Sequence, residues 1–91
     1  MVDVHKEELA APEGLKIVRL TFGKGARLKP HKATSAIVVV GVAGAGRWLM
    51  NGEVHALRPG AVLSVAADVE HAVEADDALE VVVVHVHALP R

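Results

Sequence analysis

The chain has 91 residues, enough for one domain, and 52% of them are hydrophobic, too apolar a mixture for a disordered chain. Its 10 Lys and Arg against 11 Asp and Glu give a formal charge of −1, which removes the basic footprint of a nucleic-acid binder or a membrane-surface helix. The absence of Cys excludes disulfides, thiolate nucleophiles and Cys-based zinc sites.

Residues 1–8 are polar and acidic, unlike a secretory leader; at most the first dozen residues support a helical turn, which Pro12-Glu13-Gly14 stops. The longest run free of strongly polar side chains, residues 36–46, is far shorter than the roughly 20 residues that span a bilayer. A soluble, cytoplasmic protein is expected. After the first dozen residues, short apolar stretches alternate with turn signals, the pattern of an all-β sandwich or barrel. Residues 15–22 form a strand with Val18, Leu20 and Phe22 on one face, joined by Lys16 at its start. Gly23-Lys24-Gly25 turns the chain into residues 28–31, where Pro30 marks a strand end or sheet edge.

A long Val-rich strand over residues 35–43 ends at Gly44-Ala45-Gly46. Strands 47–50 and 53–57 flank Asn51-Gly52, a two-residue hairpin signal because both turn positions need φ > 0. Arg58-Pro59-Gly60 turns again, residues 61–66 form a strand, and 67–70 a loop. A short strand 71–75, a turn at Asp76-Asp77 and a last strand 79–87 complete about eight strands without substantial helix. One domain over 1–91 is expected: an N-terminal segment at 1–14, a barrel at 15–87 and a tail at 88–91. Residues 37–42 and 81–84 are apolar on both faces, so one face needs a cover. A second subunit in a homodimer is the expected cover, with the N-terminal segment as the alternative.

Gly25, His31 and Gly44 form one spaced group, and Gly60 and His71 another. Their order and separation, with an all-β pattern between them, resemble the small single-domain cupins: type-2, RmlC-like jelly rolls also called double-stranded β-helices. The resemblance spans about residues 15–87 and implies a jelly-roll barrel. It implies three His and one Glu around a divalent metal such as Mn, Fe, Ni or Zn. Two of those positions are His31 and His71, whereas Ala33 and Ile37 stand at the other two and carry no donor atom. Ala66, Asp68 and Ala75 replace the Pro, Gly and Asn of the second motif.

The candidate site is therefore a ligand pocket holding His31, His71, Trp48 and Met50, with His31 and His71 as the residual metal positions. Catalytic metals normally take at least three protein ligands, so a small-molecule-binding barrel without a full metal centre is the expected function. A metal-dependent isomerase, dioxygenase or decarboxylase with an altered ligand set is the first alternative. A dimeric structural protein whose barrel is filled by Trp48, Met50 and Leu63 is the second. His85 and His87 share a strand face and are candidates for replacement ligands, as are His55 and Glu70. Ser35 and Ser64 lack a nucleophile-elbow context. Gly41, Gly44 and Gly46 lead into a strand instead of a helix, so they make no phosphate loop.

Overall fold

The computed structural model describes residues 4–87; the tail expected at 88–91 lies outside them. Seven strands are present: β1 Val4–Leu9, β2 Leu15–Phe22, β3 Arg27–His31, β4 Ala36–Met50, β5 Glu53–Leu57, β6 Val62–Val65 and β7 His71–Val86. The all-β expectation holds, and among the described residues no helix is long and apolar enough to cross a membrane.

Two differences in the strand pattern have clear physical causes. Val4–Leu9 form a strand in place of the helical turn expected in the first dozen residues. β1 pairs antiparallel with β2 from Val4↔Phe22 to Leu9↔Ile17, which satisfies backbone groups that an isolated turn, costly to nucleate, would leave largely to water. The breaks expected at 44–46 and 76–77 are bends within strands. β4 and β7 run through them, and their ladder shifts register between Gly41/Ala43 and between Gly44/Gly46. Such irregularities bend a paired ribbon without ending it. Around the bend, Arg47 holds Glu74 and Asp76 at 2.9 Å each.

The bend lets β4 and β7 serve two layers. One layer runs β1-β2-β7-β4-β6 through residues 79–86 of β7 and 36–43 of β4. The other runs β3-β7-β4-β5 through residues 71–75 and 46–50. Alternation then decides the core. Leu20, Ile37, Val39, Val65, Val81 and Val83 come from the first layer and Trp48, Leu57, Val73 and Ala75 from the second, in a single buried cluster. Asn51 and Gly52 have φ 54° and 73°, and Met50 pairs with Glu53, the hairpin that the Asn-Gly signal predicts. Asp68 stands where the resemblance places a Gly and has φ 65°; its N–H donates to the Ala33 carbonyl at 2.8 Å, tying two loops together.

The opposite faces of the valine strands form an outer surface. Register aligns Ser64, Val38, Val84, Ile17 and Leu9 in one row and Val62, Val40, Val82 and Arg19 in the next. Val62 is 64% exposed and Val86 44%. β1 extends this layer sideways at its β2 edge.

Candidate ligand-binding site

His31 closes β3 and His71 opens β7, and the two are register partners. The ladder thereby brings together imidazoles that are 40 residues apart, with their Nε2 atoms 3.1 Å from each other. The rings meet edge to face, with centroids 4.3 Å apart. On the other side of β7, Met50 pairs with His71 and Trp48 with Val73, which sets the indole flat against the His71 ring at 4.7 Å and 14°. His71 is 3% exposed and His31 lies at the surface.

Backbone contacts fix how each ring is used. Nδ1 of His31 lies 3.0 Å from the Lys29 carbonyl, and Nδ1 of His71 lies 3.0 Å from the Val69 carbonyl. A carbonyl only accepts, so both Nδ1 atoms carry hydrogen. The facing Nε2 atoms then present lone pairs, and a hydrogen bond between them requires one added proton shared by the pair. Chemically, the pair is a place to hold a single proton or to bind a group that offers one.

The pair lies in the wall of a cavity of about 440 Å³ between the two layers, a size typical of small-molecule sites. Val18, Leu20, Leu28, Ile37, Val83 and Trp48 supply its apolar lining. Ala33 and Ile37, the positions where the resemblance expects two further metal ligands, also line it. His85 and His87 line it too, answering whether the end of the last strand reaches the interior. Nδ1 of His85 lies 3.4 Å from the Ser35 hydroxyl oxygen. Met50 does not line this cavity. It borders a shallower depression beyond His71, together with Glu70. His55 stands apart, its Nε2 3.5 Å from a Glu53 carboxylate oxygen.

Three groups in this site carry a physical cost. Burial pushes the His71 imidazole below its usual range; the Val69 carbonyl opposes that shift and nearby His31 adds to it. His85 is lowered as well, first by burial and then by the positive charge of Lys16. The indole N–H of Trp48 is buried with no acceptor among the described residues.

A pH prediction follows from the two lowered imidazoles. Unfolded His titrates near roughly 6.5, so just below that pH the unfolded chain binds more protons than the folded one. Stability is then complete above the unfolded value and is lost as pH falls through the window beneath it. In metal-free buffer, the thermal midpoint should fall between pH 7.5 and about 5.5, before most carboxylates titrate. His71→Gln should show a shallower fall, and equal slopes in the two proteins would refute the assignment.

Three lysines belong to the site without standing among the candidate residues expected from the sequence. Lys6, Lys16 and Lys32 all line the cavity. Lys16 carried a visible signal, since its alternation with Val18 and Leu20 puts it on the inward face of β2. Lys6 had none, because its placement depends on β1 being a strand.

The family model for the cupin domain (Cupin_2) matches residues 18–87. The chain is 34% identical over 62 residues to dimethylsulfoniopropionate lyase DddW of Ruegeria pomeroyi, covering 68% of this chain and 41% of that protein. It therefore spans about two-fifths of the length of that curated relative. Among solved structures, an RmlC-like cupin from Desulfovibrio desulfuricans superposes with a TM-score of 0.82 at 28% identity, covering 91% of this chain and 81% of that one. A cupin superfamily protein from Desulfitobacterium hafniense superposes with a TM-score of 0.87 at 17% identity, over 94% and 79% of the two chains.

Proposed function

The chain belongs to the cupin family, and on that premise we propose that it is a small-molecule-binding cupin without a full catalytic metal centre. One observation carries the reading. A cavity of about 440 Å³ persists beside the His31–His71 pair, although Trp48 and Leu63 already pack into the core. That space argues against a filled, purely structural barrel. The donor set does not fit the divalent metal of the family. Ala33 and Ile37 offer only alkyl groups, and among the described residues no three His, Asp or Glu side chains are grouped to hold an ion. An occupant would stack or pack on the apolar lining while the imidazole pair holds, donates or accepts one proton at its polar edge.

The single tryptophan supplies the experiment. Trp48 emission, recorded while a library of small metabolite-like compounds is titrated in, should change saturably with at least one compound. His31→Ala, a surface change, should weaken that response without lowering the thermal midpoint. A library that leaves the emission unchanged would remove the reading. A second reading, a metal-dependent enzyme with an altered ligand set, draws on the likeness to the lyase. Exposure to Mn, Fe, Ni and Zn followed by metal analysis separates the two: near-stoichiometric metal that is lost in His71→Ala would favour the enzyme.

The proposal includes a homodimer through the outer valine surface. In support, Val62 and Val86 are strongly exposed there, and β1 lies at the edge of that layer instead of across it. A sedimentation mass equal to one chain would overturn it.

A further inference from the structure

We infer that the cavity accepts a small organic anion with an apolar body, its negative group at the lysine-ringed side and its body on the aliphatic and indole lining. This rests on the binding reading above and goes further by naming the charge class of the ligand. The observation behind it is an imbalance of sign. The whole chain is nearly neutral, with 10 cationic and 11 acidic residues, yet among the described residues the cavity gathers Lys6, Lys16 and Lys32 and no Asp or Glu. Three strands or loops that are distant in sequence contribute them: β1, β2 and the loop after β3.

The acids are nearby in sequence and spent elsewhere. Glu7 faces the outer surface and pairs with Arg19 at 3.0 Å. Glu70 borders the separate depression beyond His71. Glu8 shares the inward face of β1 with Lys6, opposite Val18, but does not line the cavity. Among the described residues none of the three lysines forms an ion pair. Their positive potential therefore adds within one concave space instead of being cancelled by neighbours, and a cleft with walls of low dielectric focuses such a field.

The other polar groups agree in kind. Thr34 and Ser35 bring hydroxyls to the same wall, and His31, His71, His85 and His87 bring ring nitrogens that are neutral or positive. None of these groups adds negative charge. A cationic ligand would meet repulsion with no compensating carboxylate, and a neutral one would leave the lysine field unused. An anion alone finds both a complementary charge and an apolar floor.

The test uses three probes of one shape and different charge: benzoate, benzamide and benzamidinium. Binding is read by Trp48 emission and by backbone amide shifts around His71 and Ile37. Benzoate should bind about tenfold more tightly than benzamide, the sum expected of a few partly exposed charge pairs, and benzamidinium most weakly. Raising the salt concentration should weaken benzoate alone. Lys16→Gln with Lys32→Gln should bring benzoate to the level of benzamide while leaving the thermal midpoint in place. Equal binding of benzoate and benzamide would overturn the anion assignment and leave the binding reading standing. So would tightest binding by benzamidinium, or a library in which only neutral compounds bind. Failure of the three probes and of the whole library would remove both.

Discussion

Gly44→Ala should be the most damaging small change in the barrel, lowering stability by about 2–5 kcal/mol. Gly44 has φ +82°, a left-handed conformation that costs an L-residue roughly 1–2 kcal/mol. A Cβ there would also run into the carbonyl of Ala78, a backbone atom in the paired strand. That strand cannot retreat without opening the Gly44↔Leu79 pairing at the bend, and overpacking of this kind adds about 1–3 kcal/mol. Gly52 provides the control. Its φ is +73°, but a Cβ there meets nothing within 4 Å, so Gly52→Ala should incur only the conformational cost. Urea unfolding of both variants separates the two contributions, and equal losses would show that the contact with Ala78 is unimportant.

Trp48 should show the second large effect, and in an uneven way. Trp48→Ala removes the largest fully buried side chain from beneath His71, a loss of about 3–5 kcal/mol for a large-to-small change in a core. Trp48→Phe should lose far less than its missing ring volume suggests. The indole N–H is buried without an acceptor among the described residues, a penalty of about 1–3 kcal/mol that phenylalanine removes. Its stability should stay within about 1 kcal/mol of the parent. A phenylalanine variant as unstable as the alanine one would mean that the indole donor is satisfied in solution.

Much of the architecture was legible from local chemistry. Strand 15–22, the Asn51-Gly52 hairpin and the loop at 67–70 follow from alternation and turn residues, and the structure has each. The breaks at Gly44 and at Asp76-Asp77 were misread because glycine and paired aspartates commonly mean a turn. Here their roles depend on partners that no local window contains. Gly44 makes room for Ala78, more than thirty residues away, and Arg47 across the ladder neutralises Asp76.

The candidate site divides in the same way. The spacing of His31 and His71 was legible through a resemblance, and their meeting follows from strand register. Trp48 lines the same wall, since it shares the inward face of its strand. Met50 shares that face too, but it lies beyond His71 and borders another depression. Two residues of travel along a strand move a side chain roughly 7 Å, enough to leave a small cavity. The grouping of the three lysines was hidden because it assembles from three separate segments, although alternation places Lys16 on the inward face.

The position of β7 has a consequence for how the protein is made. β2, β3 and β4 all find their hydrogen-bonding partner in this one strand, the last of the seven to leave the ribosome. Until it emerges, neither layer can close and the valines of β4 await their neighbour. The nascent barrel should therefore fold only once β7, His71–Val86, has left the ribosome, in milliseconds to seconds as is usual for such distant pairings.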